Sequence, residues 1–185
     1  MSVEFVDVVD RNDVPTGEIK KKDLVHKDGD WHRISHVWLV TPDGYVICQK
    51  RSKTKQYLPD VWDVIHGGHV KAGSNYIDAA VAELKEEINL KVNPKDLIDI
   101  GKYNTDNKIG KDKIRDVCQA FLLIYKKKIE DLKIDNDEVS ELRSFHIDEL
   151  HNLVHGSKTR KSFLPGVIET YFDTGIEKIK KKLNI

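Results

Sequence analysis

The stretch from Gly67 to Leu90, GGHVKAGSNYIDAAVAELKEEINL, limits the fold more than any other part of the chain. Its first half is rich in glycine and poor in bulky side chains, so it reads as a loop. Its second half has helical spacing from Ser74 or Asn75, either of which serves as N-cap, and Asp78 complements the dipole in the first turn. Ile77, Val81, Leu84 and Ile88 form an apolar stripe when residues are stepped about 100° apart. Glu83, Glu86 and Glu87 fall on a separate, roughly opposite face, away from the stripe that packs. Like charges at neighbouring helical positions repel, so the trio costs stability unless something positive sits beside it.

A glycine loop that opens a helix is also an anion-binding design. Neither G-x-x-x-x-G-K-[ST] nor G-x-G-x-x-G is present, however, and acids rather than a lysine converge. A bare phosphate would be repelled. A hard divalent cation such as Mg²⁺ resolves the conflict, because it takes oxygen ligands and is commonly shared between carboxylates and substrate phosphates.

Overall charge names no polymeric partner. Lys plus Arg and Asp plus Glu are 31 each, so the chain has no net basic field for nucleic acid or an anionic membrane. The basic run KIKKKLNI at the end reads as a solvated helix face. Cys48 and Cys118 each lie inside an apolar run with no second cysteine at metal-ligand spacing, and read as buried thiols. The N-terminal MSVEFVDVVD has no basic region followed by an apolar block, and no apolar run approaches spanning length. The sequence therefore predicts a cytoplasmic protein.

At 185 residues the chain suits one core. Strands are expected at 3–10, 33–41 and 45–52, the last two joined by the hairpin chemistry of Pro42-Asp43-Gly44. Residues 14–31 read as a polar, turn-rich segment, and VWDVI at 61–65 as a short apolar one. Further strands are expected at 114–126 and 139–147, and helices at 148–155 and about 163–183. The expected class is α/β, a mixed sheet between helices.

Gly68, Glu83, Leu84, Glu86, Glu87 and Leu90 resemble the Nudix box, G-x5-E-x7-R-E-U-x-E-E-x-G-U with U aliphatic. The resemblance implies a Nudix domain over 1–160, with 161–185 as a helical extension packed on it. It also implies Mg²⁺ or Mn²⁺ held by the Gly68 carbonyl, Glu83, Glu86 and Glu87, and hydrolysis of a small-molecule diphosphate linked to another group. The sequence departs from the box at Ser74 for glutamate, Ala82 for arginine and Asn89 for glycine. Asn89 still suits a left-handed helix end. The other two residues are usually structural partners in the family, so their joint loss leaves no orphan charge but removes a group that orients the carboxylates.

From His26 to Cys118 the chain is similar to the Nudix branch that includes isopentenyl diphosphate isomerase. His26, His32, Arg51, Lys55, Pro59, Trp62, Gly68-His69, Glu87 and Asp116-Val117-Cys118 carry that likeness. In the isomerase, equivalents of His26, His32, His69 and two acids hold a metal, and a cysteine and a glutamate move the proton. Here Gly67 stands at the cysteine position and Ile114 at one acid. Relatives with the Gly67-Gly68 pair and a segment like Asp137-Glu138-Val139-Ser140-Glu141 are hydrolases. The expected catalytic residues are Glu83, Glu86, Glu87 and Glu138, with Glu83 or Glu138 as proton acceptor. Arg51, Lys55 and His69 are expected to bind substrate. The alternatives are an isomerase-like enzyme and a non-catalytic module that binds diphosphates.

Overall fold

The computed structural model describes residues 3–185. Its elements are, in chain order, β1 (Phe5–Val9), β2 (Pro15–Lys21), α1 (Lys22–Asp28), β3 (Trp31–Val40), β4 (Tyr45–Arg51), β5 (Trp62–Asp63), β6 (His66–His69), α2 (Tyr76–Ile88), β7 (Ile98–Ile109), β8 (Asp112–Ile124), β9 (Val139–His146), α3 (Ile147–His155), α4 (Pro165–Thr170) and α5 (Phe172–Leu183).

β3 is the organising strand. Along one edge it pairs in parallel with β8, from Trp31 opposite Arg115 to Val40 opposite Ile124. Its other edge is shared by three antiparallel partners: β1 at Trp31 and His32, β6 from Ile34 to Val37, and β4 at Val40. β4 then continues the sheet through β9 and β5. Alternation along these strands sends side chains to opposite faces. Val37, Leu39, Ile47, Phe121 and Leu123 pack against Ala80, Leu84 and Ile88 of α2. Trp38, Val40, Val46, Ala120 and Leu122 pack on the other face against residues of α3, α4 and α5, including Leu150, Ile168, Phe172 and Ile179. A mixed sheet between helices is the result, as expected for the α/β class. Both cysteines are free and buried.

Several elements differ from the sequence expectation. Residues 14–31 hold β2 and α1 rather than turns alone. Almost every β2 residue is exposed, so its ladder with β1 leaves no apolar alternation to read. The seven-residue α1 closes on Gly29, whose φ of 75° suits glycine. The polar β7 pairs with β8 over nearly its whole length, and the two strands are joined by Gly110 and Lys111. The last helical stretch breaks at Tyr171 into α4 and α5.

At α2 the N-cap is Asn75, which accepts the Asp78 N–H, and Asn89 ends the helix in the left-handed region. Ile77 is exposed, so the packed stripe is Ala80, Leu84 and Ile88 with Val81 partly covered. The carboxylate face is covered at Glu83 and Glu87, and Glu86 alone of the three is exposed. Glu87 is 6% exposed, and a Cβ placed on Gly68 of β6 would fall within the Glu83 carboxylate. β6 is kept bare of side chains there so that α2 can approach it. Among the described residues no helix is long and apolar enough to cross a membrane.

Candidate active site

A cleft of about 1090 Å³ opens where α2, β6, α1, the loop after β4, the β7–β8 end and α4 meet. The three box glutamates meet it in different environments. Glu86 is exposed, with Lys71 Nζ 3.8 Å away. Glu83 is largely buried, and desolvation, reinforced by the charges of Glu87 and Glu86, pushes its pKa up to about 8. Among the described residues no cation pairs with it within 4 Å.

Glu87 is held from beneath. Gln49 Nε2, on β4, donates to both of its carboxylate oxygens at 3.2 and 3.3 Å and to the Ile65 carbonyl at 3.0 Å. His66 Nε2 lies 3.1 Å from the Ile47 carbonyl, which can only accept, so the ring proton sits on Nε2. His66 Nδ1 then faces Glu87 Oε2 at 3.3 Å. Sequence reasoning missed Gln49, His66 and the neighbouring buried Asp63, whose pKa burial raises to about 6. The available signal was a polar residue inside an apolar strand run, as in YVICQ.

Next to the carboxylates stand three imidazoles. His26 Nε2 lies 3.3 Å from His32 Nε2 and 3.1 Å from His69 Nε2, and the His32 and His69 rings are stacked. Asp116 is opposite His32 in the β3–β8 register, with Oδ1 at 3.2 Å from His32 Nε2. Its other oxygen accepts from Thr105 Oγ1. Burial lowers the pKa of His26 and His32 to about 4 each and moves His69 down as well, while raising that of Asp116 to about 6. At neutral pH the three rings are uncharged and can offer lone pairs. The substrate-binding expectation for His69 thus meets a residue whose nearest partner is another histidine.

Arg51 spends its Nε and Nη2 on the carbonyls of Leu58 and Tyr57, holding the loop after β4. Lys55 contacts the Glu138 carboxylate, and desolvation lowers its pKa. Both basic residues and Glu138 line the cleft together with Glu83, Glu86, Glu87, Gly68 and His69. All eight expected site residues therefore share one cavity.

The family model for the NUDIX domain matches residues 30–166. The chain belongs to the Nudix hydrolase family. This Nudix chain is 37% identical over 153 residues to an uncharacterized Nudix hydrolase of Clostridium acetobutylicum, covering 81% of itself and 73% of that protein. It is 26% identical over 172 residues to isopentenyl-diphosphate Delta-isomerase of Escherichia coli, covering 91% of itself and 90% of the isomerase. The crystal structure of a Deinococcus radiodurans protein superposes with a TM-score of 0.64 at 18% identity, over 87% of this chain and 100% of that one, and this speaks for the fold.

The residues of this Nudix protein fit divalent cations in two donor sets. The first is all oxygen: the partly buried Glu83 carboxylate with acidic neighbours and the bare Gly68 beside it, which suits a hard ion. The second is mostly nitrogen, and nitrogens about 2.1 Å from one tetrahedral ion stand about 3.4 Å apart, close to the spacing of His26, His32 and His69. His26 Nδ1 is buried without a hydrogen-bond partner, and so is Asp116 Oδ1, which lies 3.2 Å from His32 Nε2 without making a hydrogen bond to it. At the isomerase's cysteine position there is no room for a side chain, since a Cβ on Gly67 would overlap the Ser35 carbonyl of β3.

Proposed function

We propose that this Nudix protein is a Mg²⁺- or Mn²⁺-dependent hydrolase that cleaves a phosphoanhydride in a small molecule carrying a diphosphate. The observation that carries this reading is Glu83, a largely desolvated carboxylate beside Glu86 and Glu87 and against the bare Gly68, with Lys71 acting on it only from beyond ion-pair distance. Gly68, Glu83, Glu86 and Glu87 would hold the metal, which when bound polarises phosphoryl oxygens and acidifies an attacking water. Gln49 fixes the Glu87 carboxylate in one orientation, so little reorganisation is left for the reaction. Lys55 stands where it can meet a phosphate, and the release of Glu138 from Lys55 would leave that carboxylate free to take a proton. Glu83, whose pKa of about 8 falls once a cation is beside it, is the other acceptor.

The convergence of His26, His32, His69 and Asp116 favours a second reading, an isomerase-like enzyme on a prenyl diphosphate. Against it stand Gly67, which supplies no acid to an alkene, and Ile114, which supplies no ligand to the metal. Hydrolysis of nucleotides, nucleotide sugars, dinucleotides and prenyl diphosphates with Mg²⁺ and Mn²⁺ tests the proposal. Turnover of one compound supports it. Tight binding with no turnover across the panel would make the protein a binding module.

A further inference from the structure

Away from the cleft, α3 and the start of α5 bring a second set of metal-ligating side chains together. His151 and His155 are one helical turn apart on α3, and so project from the same face. Asp173, the second residue of α5, meets them: its Oδ1 is 2.8 Å from His155 Nε2 and 3.6 Å from His151 Nε2. The ligating atoms of all three lie within 4.8 Å of one another, and none belongs to the cleft.

The two imidazoles lie 4.4 Å apart between centroids, and each rests near the buried Phe172 ring, at 6.3 and 6.0 Å. Phe172 precedes Asp173 directly, so the residue that backs the rings also places the carboxylate. The helices beneath are fixed by the shared core of Leu150, Val154, Phe172, Ile176 and Ile179. The three side chains are exposed and open to an ion from solvent, while the packed helices under them fix the spacing of their backbones.

We propose that His151, His155 and Asp173 form a site for a borderline transition-metal ion of the Zn²⁺, Co²⁺ or Ni²⁺ type, completed by water. Two imidazoles and one carboxylate match the donor preference of such ions and not that of Mg²⁺. The separations to Asp173 are within a few tenths of an ångström of the roughly 3.0–3.4 Å expected between ligands on one ion. To ligate through Nε2, His155 gives up the Nε2 proton that it now donates to Asp173 and carries its proton on Nδ1, as His151 does, and that hydrogen bond is exchanged for two metal bonds. The ion would tie α3 to the α4–α5 junction, four residues beyond Glu169, a residue of the cleft wall.

The test is Zn²⁺ titration against a competing chelator in Mg²⁺-saturated protein. Wild type is compared with His151→Gln/His155→Gln, with Asp173→Asn, and with His26→Gln/His32→Gln, which separates the cleft histidines. The exposed substitutions leave the core intact, and circular dichroism checks the fold of each variant. The expected result is that the α3 double variant loses one equivalent of Zn²⁺, that Asp173→Asn weakens that equivalent at least about ten-fold, and that the cleft variant keeps it. Zn²⁺ should also raise the Tm of the cleft variant and not that of the α3 variant. Equal stoichiometry and affinity in wild type and the α3 double variant would overturn the proposal and leave a histidine–aspartate hydrogen bond only.

Discussion

Glu83 is the residue whose environment is most at odds with its charge. Its raised pKa means that the folded state binds the proton more tightly than the unfolded chain, so in metal-free protein stability is lost as pH rises from about 4.5 to about 8. Glu83→Gln should therefore raise the Tm in chelator at pH 8 and leave it nearly unchanged at pH 4, and Mg²⁺ should raise the wild-type Tm at pH 8 far more than that of the variant. Melts across this pH range check the sign; a variant that is less stable than wild type at pH 8 in chelator would contradict it. Gln49 bears the other residue-scale prediction. Gln49→Leu fills the space but removes both hydrogen bonds to Glu87, so Mn²⁺ affinity read by electron paramagnetic resonance should fall about 10–100-fold. The glutamates were legible in the sequence because their spacing is local. Gln49 and His66 were not, since only the fold of β4 and β6 under α2 gives them a partner.

At the scale of elements, apolar runs rich in β-branched and aromatic residues made β3, β4 and β8 readable, and the N-cap, acidic first turn and Asn89 made α2 readable. β2 and β7 were missed for one reason: each is a polar strand that is stabilised through its backbone ladder, so the side chains carry little period-two signal. The β3–β6 pairing gives a prediction of its own. With Ser35 opposite Gly68 and His36 opposite Gly67, a side chain at 67 meets the Ser35 carbonyl. Gly67→Cys should cost about 1–3 kcal/mol in urea unfolding as the ladder shifts. It should also yield no deuterium uptake from heavy water into isopentenyl diphosphate, because the missing acid at Ile114 is not restored. An unchanged unfolding midpoint, or measurable uptake, would contradict this account of β6.

For the whole molecule, the two faces of the sheet divide the work. α2 on one face brings the carboxylates to the cleft, while α3, α4 and α5 close the other face over Trp38 and Leu122. Gly175 lets α5 approach closely, since a Cβ there would stand 3.0 Å from the Trp38 ring. Truncation after residue 160 would strip Phe163, Phe172, Ile176 and Ile179 from that core. The shortened chain should lose cooperative unfolding by calorimetry, and a sharp transition at an unchanged Tm would show that residues 161–185 are dispensable.

The most direct test of the central claim is the dependence of turnover on the α2 carboxylates. A substrate from the diphosphate panel is assayed with saturating Mg²⁺ or Mn²⁺ for wild type, Glu86→Gln and Glu87→Gln, alongside metal-free protein. The account predicts metal-dependent hydrolysis that falls at least about a hundred-fold in kcat with Glu87→Gln, with a much smaller change in substrate affinity. Hydrolysis that persists in Glu87→Gln at the wild-type rate, or that needs no divalent ion, would contradict it.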